Sequence, residues 1–519
     1  MSFHTESTEK FIEGYVTDVT YTMNYKSEIN PLILQFNFLC AGLRPPTIKN
    51  ACELGFGQGL SINFHSAGSG IKWYGNDFNN QHYLFADELS KAGKLDCDLS
   101  PQSFREFCQR TDLPDFDFIC LHGVWSWINS ENREIIVEFI KKKLRPHGVA
   151  YISYNALPGL MDALPLKKIL SDYSSSLGEN ISTIDKINLS IEFLDNFIKL
   201  NPEILKSFPN LIKKLEHLKI QPRQYLAHEY FNKNWMPFYF SEMNDVLSKA
   251  DLKYAAPVYV VDLFKNLYLT NEQHEFIEGI QDNIRKEGLL DKLVNKQYRA
   301  DYWAKNIDRL SKKEYEILIS QFSVILVKNL DSIDYKFDTY TGTVDINQSH
   351  AILILNVLSD YKIHSIGEIS NALRHKNQTL NDIATIIALL VYKKDVALVQ
   401  KSTDIQENIL KTKKLNTFII ARSVISEDIN YMASPLTGGG IFINNLEQIY
   451  LVARERGLKT PEEWVKFAWD VHLWRAGNIL DDQRGTTFPK DKDGQEMIEH
   501  AIHWEKYRLP ILQALKITT

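Results

Sequence analysis

The chain has 519 residues, of which 44% are hydrophobic and 24% are charged, a composition typical of a folded globular protein with a sizeable core. Its net charge of −6 gives no long-range attraction for a polyanion, so we expect no nucleic-acid partner. The longest apolar stretches, such as residues 383–392, are about half as long as the ~20 residues of a membrane-spanning helix. The first ten residues lack the basic and apolar pattern of a secretory signal. We therefore expect a cytoplasmic protein without membrane insertion.

Short apolar segments alternate with amphipathic segments through the first third of the chain. Ser130 is placed to cap a helix, and Pro146-His147-Gly148 are expected to end it. Alternating strands and helices indicate an α/β fold with a doubly wound, largely parallel sheet, in which ligands bind at the carboxyl ends of the strands. The segments predicted as strands are residues 48–54, 71–75, 95–99, 116–121 and 148–154.

Later segments predict the domain organisation. Residues from about 160 to 220 have helical periodicity, and a further strand is expected at 252–261, which indicates a helical insertion within the sheet domain. From about Phe264 the pattern is mainly helical and carries few chemical groups, which favours a regulatory or recognition role. The predicted segments are a lead-in over the active site (1–35), a sheet domain (36–262), a middle helical domain (263–395) and a C-terminal helical domain (396–519).

A glycine-rich turn after the first predicted strand is the most informative motif. Gly55, Gly57 and Gly59 precede a plausible helix beginning near Leu60, so the backbone there can approach a ligand closely at a helix N-terminus. The spacing differs from the G-x-G-x-x-G of dinucleotide-binding proteins. Glu53 would repel a pyrophosphate but accept a hydrogen bond from the ammonium of an amino-acid moiety. This combination favours S-adenosylmethionine (AdoMet) over a nicotinamide cofactor.

Asp77 follows the second predicted strand, where an acid in such a fold contacts a ribose. Its two carboxylate oxygens can accept hydrogen bonds from both ribose hydroxyls. Together with Glu53 and the glycine turn, Asp77 predicts a cofactor site, whereas glycines alone would equally indicate a tight turn.

The ends of the fourth and fifth predicted strands supply further candidates. His122 and Trp125 follow the fourth strand, where an aromatic face can favour a sulfonium cation, although His122 is equally compatible with a structural role. Tyr154 and Asn155 end the fifth strand, and their oxygens can orient an acceptor amine. We predict Trp125, Tyr154 and Asn155 as catalytic residues and His122 as a neighbour of the cofactor.

Two aromatic clusters are candidate linings of an acceptor channel, although such clusters more often form core. One contains Tyr21, Tyr25 and Glu28, and the other spans residues 225–239 and includes His228, Glu229, Tyr230 and Trp235. His500 and His503 have an H-x-x-H spacing but no evident third ligand, so no metal site is predicted.

The chain resembles the rickettsial-type protein lysine methyltransferases that modify outer membrane protein B, bacterial proteins with a class I methyltransferase domain and a methyltransferase regulatory domain. The resemblance rests on the lead-in at residues 21–31, the turn from Glu53 to Gly59, and Tyr225-Leu226-Ala227-His228-Glu229-Tyr230 with Trp235. It implies a Rossmann-like AdoMet-binding domain, and transfer of methyl groups to lysines of a large surface protein. It also implies that the insertion at about 160–220 forms a homodimer contact, and it places Tyr25, Glu53, the three glycines, Asp77 and His122 at the cofactor.

Three functions remain compatible with the sequence. The first is an AdoMet-dependent protein lysine N-methyltransferase. The second is a small-molecule methyltransferase capped by the helical half, and the third is a catalytically silent AdoMet-binding regulator.

Overall fold

The computed structural model describes residues 11–12, 15–16, 19, 23–478 and 494–518. Tyr21 of the lead-in lies outside these described residues. The helices are α1 (Pro31–Cys40), α2 (Leu60–Gly68), α3 (Asn80–Gly93), α4 (Phe104–Cys108), α5 (Ser130–Lys143), α6 (Ala163–Ser176), α7 (Thr183–Lys199), α8 (Ile204–Ser207), α9 (Leu211–Ile220), α10 (Arg223–Tyr230), α11 (Phe240–Leu247), α12 (Asn271–Glu278), α13 (Asn283–Leu293), α14 (Lys312–Gln321), α15 (Gln348–Val357), α16 (Ile366–Ala372), α17 (Leu380–Tyr392), α18 (Ser402–Ser423), α19 (Asn445–Glu455), α20 (Pro461–Asn478), α21 (Gln495–His503) and α22 (Leu509–Ala514).

A seven-stranded mixed sheet organises the first 304 residues. Across the sheet the strand order is β3-β2-β1-β4-β5-β7-β6. The first five strands are parallel, and β7 runs antiparallel to both of its neighbours. The predicted doubly wound α/β sheet is therefore confirmed. The strands are β1 (Asn50–Leu54), β2 (Lys72–Asn76), β3 (Cys97–Ser100), β4 (Phe116–Leu121), β5 (Leu144–Asn155), β6 (Lys253–Pro257) and β7 (Tyr298–Ala304).

The boundary between α5 and β5 differs from the prediction. Asn129, rather than Ser130, caps α5, and its side chain accepts a hydrogen bond from the Asn132 backbone nitrogen. The helix ends at Lys143, and the segment Pro146-His147-Gly148 lies inside β5. The pairing of β5 with β4 shifts register between Phe116 and Phe118, so a local irregularity accommodates the proline within the strand.

The sheet also extends beyond the predicted boundary at residue 262. β7, which falls in the segment predicted as a middle helical domain, lies between β5 and β6. Its pattern, Tyr-Arg-Ala-Asp-Tyr-Trp-Ala, includes two charged residues, Arg299 and Asp301, which are both almost fully buried. They form an ion pair with a separation of 2.8 Å, which offsets the cost of burying each charge. The prediction of a mainly helical chain from about Phe264 therefore missed this strand.

Helices α6 to α10 form a subdomain with its own hydrophobic core. Leu166, Leu170, Ile187, Leu215 and Leu226 pack together in it. The predicted helical insertion is thus present as a group of packed helices, and a dimer contact through it stays a prediction.

The C-terminal segment packs directly against the sheet domain. The hairpin of Tyr431–Ser434 and Gly439–Phe442 lies against α2, and its core includes Phe64 and Ala67 of that helix. The His65 ring hydrogen-bonds the carbonyl oxygen of Gly438 at 3.2 Å. The loop between the two strands of this hairpin is therefore part of an interface between the C-terminal segment and the sheet domain.

The middle segment adds a small sheet and a hairpin to its helices. The sheet consists of Ser323–Leu326, His364–Ser365 and Val396–Val399, and the hairpin of Lys336–Thr339 and Gly342–Asp345. Within the described parts of the chain, we find no helix whose length and hydropathy would let it cross a bilayer.

Candidate active site

A cavity of about 500 Å³ opens at the carboxyl ends of the parallel strands. Most of the predicted site residues line it, which brings together side chains that are up to 102 positions apart in the chain. These are Glu53, Gly55, Gly57, Gly59, Asp77, His122 and Asn155.

The three glycines of the turn all have left-handed backbone conformations, but they serve different purposes. Gly55, Gly57 and Gly59 have φ values of 72°, 57° and 70°. A Cβ atom at Gly55 would lie 2.8 Å from the Val124 side chain, and one at Gly59 would lie 2.3 Å from Ala86. At Gly57 no heavy atom lies within 4 Å of that position. Gly55 and Gly59 therefore permit packing of the turn, whereas Gly57 faces the cavity.

Glu53, near the end of β1, is a buried carboxyl group at the wall of the cavity. One of its carboxyl oxygens, Oε2, has no hydrogen-bond partner among the described residues, although the side chain faces the cavity. Burial, together with the nearby Asp77 carboxylate, holds the pKa of Glu53 well above its usual range. A cationic group in the cavity would satisfy this oxygen and favour the ionised carboxylate.

The Asp77 side chain, directly after β2, forms a hydrogen bond to the glycine turn. Its Oδ2 accepts a hydrogen bond of 2.8 Å from the Gly57 backbone nitrogen, and its Oδ1 accepts one of 3.0 Å from the Asn79 backbone nitrogen. The His82 ring lies 3.2 Å from Oδ1. Each carboxylate oxygen has two lone pairs, so these contacts leave acceptor capacity toward the cavity.

His122 is held as a neutral ring at the cavity wall. The Tyr151 hydroxyl, whose pKa burial raises well above its usual range, shares a hydrogen bond of 2.7 Å with the His122 Nδ1. Burial, with the Lys26 ammonium nearby, lowers the pKa of His122 to about 3. The neutral imidazole therefore places no positive charge beside the cavity.

Three predicted site residues lie away from the cavity. Trp125 is fully buried in a hydrophobic core, whereas Trp127, two residues further along the chain, lines the cavity. Tyr154 is buried on the other side of β5, where its hydroxyl donates to Asp301 at 3.0 Å. Tyr25 packs against Phe64, away from this cavity. These positions argue against catalytic roles for Trp125 and Tyr154 and against cofactor contact by Tyr25.

Several residues that line the cavity were not predicted from the sequence, or were predicted only as members of an aromatic cluster. Lys26 of the lead-in and Tyr298 of β7 line the cavity and were not predicted, whereas Glu28, which also lines it, belongs to the predicted cluster with Tyr21 and Tyr25. Glu229, from the aromatic cluster at residues 225–239, also lines it, and burial raises its pKa to about 7. The lead-in motif was the one available signal for Lys26 and Glu28, because no regular periodicity places them. No cluster of three or more potential metal ligands occurs in the described ranges of the chain.

We expect Asp77→Ala to weaken AdoMet binding by roughly 1–3 kcal/mol, the cost of losing a charged hydrogen-bond partner. The substitution also frees the Gly57 nitrogen, which is exposed to the cavity and can bind water. Isothermal titration calorimetry would measure the change. Asp96→Ala is a matched control because Asp96 forms an exposed ion pair with Lys72. Equal affinities of the two variants would contradict the ribose assignment.

The chain is similar to one family model and to several known proteins. Residues 222–305 match the family model described as a predicted methyltransferase regulatory domain. The chain is 31% identical over 512 residues to the uncharacterized protein sll1526 of Synechocystis, covering 98% of this chain and 99% of the relative. It is 26% identical over 330 residues to the Rickettsia prowazekii protein RP789, covering 59% of this chain and 56% of that protein.

Solved structures establish the fold. PKMT2 from Rickettsia typhi in complex with AdoHcy superimposes with a TM-score of 0.65 at 18% identity, over 95% of this chain and 99% of PKMT2. A second PKMT2 structure gives a TM-score of 0.64 at 16% identity. The predicted Rossmann-like methyltransferase fold with additional helical segments is thereby confirmed.

Proposed function

Because the chain belongs to the protein family that includes Synechocystis sll1526, and has a Rossmann-like methyltransferase fold, we propose that it is an AdoMet-dependent protein lysine N-methyltransferase. The observation that carries the proposal is the unpartnered, buried Glu53 carboxyl group facing the same cavity as Gly57 and Asp77. PKMT2, which shares the fold, has been crystallised with AdoHcy, and this supports AdoMet as the cofactor.

The residues of the cavity fit AdoMet. Glu53 is placed to accept from the ammonium of its amino-acid moiety, and Asp77 to accept from ribose hydroxyls. Gly57 lets the backbone approach the ligand because nothing occupies the space beside its Cα atom. When bound, AdoMet supplies a methyl group carried on a sulfonium sulfur.

The chain's own residues prepare the acceptor. A lysine amine must be neutral to attack a methyl carbon, and its ordinary pKa is about 10.4. Burial in a cavity lowers that pKa. Glu229, whose pKa is about 7, is placed to take the ammonium proton, and Glu28 and Tyr298 line the same cavity. His122 remains neutral and so does not repel a cationic acceptor.

A second cavity supports a protein acceptor over a small molecule. It measures about 810 Å³ and is lined by residues of the sheet domain and of the middle and C-terminal segments. Glu28 and Tyr259 line both cavities, so the two adjoin at these residues. A polypeptide segment in the second cavity could direct a lysine side chain past Glu28. A surface protein such as outer membrane protein B as the substrate, a homodimer and a cytoplasmic location stay predictions.

Labelled methyl transfer tests the proposed function. The full chain is incubated with methyl-labelled AdoMet and an unfolded, lysine-rich fragment of a surface protein, and the acceptor is mapped by peptide mass spectrometry. We expect mass added in steps of one methyl group on lysine, and none on a fragment whose lysines are replaced by arginine. Label transferred only to small molecules would favour the second function. AdoMet that binds but is never consumed would favour the silent regulator.

A further inference from the structure

Lys167, on α6 of the helical insertion, is a buried lysine beside the candidate active site. Its side chain is mostly covered, with a relative exposure of 7% for the residue. Its neighbour Lys168 is solvent-exposed and pairs with Asp172 on the same helix. Lysine is rarely buried without an anionic partner, so the position of Lys167 requires a specific environment.

Two tryptophan rings form that environment. The Lys167 Nζ lies 4.7 Å from the centre of the Trp127 ring and 4.6 Å from the centre of the Trp235 ring. It also donates a hydrogen bond of 3.3 Å to the backbone oxygen of Glu229. Paired aromatic faces favour ammonium groups, and they favour methylated ammonium groups that have fewer hydrogen bonds to lose.

The tryptophan cage adjoins the candidate active site. Trp127 and Glu229, which both contact the Lys167 amine, also line the cavity that contains Glu53, Gly57 and Asp77. The Lys167 amine therefore contacts two residues that line this cavity, Trp127 through its ring and Glu229 through its backbone oxygen. Burial also lowers the pKa of Lys167 to about 7, so a substantial fraction of the amine is neutral near neutral pH.

We propose that Lys167 is an internal methyl acceptor, modified by the chain itself and held after methylation between Trp127 and Trp235. This inference rests on the proposed methyltransferase function. The neutral amine nitrogen forms a bond to the methyl carbon while the carbon–sulfur bond breaks, and the bonding pair passes to sulfur to give AdoHcy. The proton released from the methylated nitrogen passes to Glu229 or to water.

Mass spectrometry of the full chain tests the proposal. Purified protein is incubated with methyl-labelled AdoMet and no other acceptor, and fragment ions assign the label to Lys167 or to the adjacent Lys168. We expect label on Lys167, its loss in Lys167→Arg, and its retention in the matched variant Lys168→Arg. Label on Lys168 instead, or equally on several exposed lysines, would overturn the proposal.

A cofactor-free measurement tests the cage itself. The tryptophan emission of Lys167→Met should differ from that of the wild type, because the substitution removes a cationic group from between two indole rings. Lys168→Met should leave emission unchanged. Equal emission of both variants would overturn the cage.

A parallel reaction with an external protein acceptor separates this inference from the proposed function. Methylation of the external acceptor without label on Lys167 would overturn only the internal acceptor. No methyl transfer to any acceptor would overturn the proposed methyltransferase function.

Discussion

Gly57→Val should reduce AdoMet affinity by about 100-fold or more, on the order of 3 kcal/mol, while the protein remains folded. The open space beside Gly57 lies in the cavity, so the valine side chain would occupy the volume that the ligand needs. The site would retain Glu53 and Asp77 but lose room for close backbone approach. Equilibrium binding of radiolabelled AdoMet would measure the loss, and circular dichroism would verify the fold.

Gly42→Val is the matched control for Gly57→Val. Gly42 also has a left-handed backbone, with φ of 71°, and also has no heavy atom within 4 Å of the Cβ position. It lies after α1, outside the cavity lining. Both substitutions carry a similar conformational cost of roughly 1–2 kcal/mol, so stability should fall alike in both variants. Undiminished AdoMet binding by Gly57→Val would show that the ligand lies elsewhere.

The cofactor side of the site could be predicted because each residue sits at a position that the fold itself defines. Glu53 and the glycines follow β1, and Asp77 follows β2, so strand order and the carboxyl-edge rule place them together. The expected α/β sheet could be predicted from alternating apolar and amphipathic segments for the same reason. These signals are local, within a few residues of a strand end.

The residues on the acceptor side of the site could not be predicted to the same degree. Whether each of them lines the cavity depends on the side of its strand or helix from which the side chain projects. Tyr154 and Asn155 are adjacent in β5, and neighbouring residues of a strand point to opposite sides. Only Asn155 lines the cavity. Trp125 and Trp127 belong to a single short 3-10 helix, and no periodicity in three residues indicates which ring is buried. Tyr25 is fixed by the distant C-terminal hairpin, which local sequence does not reveal.

The C-terminal segment forms hydrogen bonds with helices that adjoin the candidate active site, as a separate recognition domain would not. Asn30, which caps α1, donates through its side chain to the carbonyl oxygen of Thr437 at 3.0 Å. Gln400 donates to the carbonyl oxygen of Gly68 at the end of α2 at 2.6 Å. Since α2 begins directly after the glycine turn, these contacts connect the position of the turn to the packing of the C-terminal segment. We infer that this segment supports the geometry of the cofactor site in addition to lining the second cavity.

Affinity for AdoMet should rise with pH at low pH, and Glu53→Gln should remove this rise. The pKa of Glu53 is raised, so in the free protein its carboxyl is protonated well above the usual carboxyl range. A cationic ammonium prefers the carboxylate, so binding strengthens as pH rises toward the raised pKa, by up to about tenfold per pH unit. The affinity should decline only when the pH has passed both the raised pKa of Glu53 and about 8, where an α-amino group loses its proton.

From the raised pKa of Glu53 we also predict how the stability of the folded protein depends on pH. The folded state holds the Glu53 proton more tightly than the unfolded state, so this group stabilises the fold at low pH. That contribution is lost as pH rises from about 4.3, the unfolded value, through the raised folded pKa. Glu53→Gln should therefore lose less stability over that interval than the exposed control Glu134→Gln, which keeps Glu53. Denaturant unfolding across this pH range would measure both variants, and parallel pH profiles would mean that Glu53 is already ionised in the folded protein.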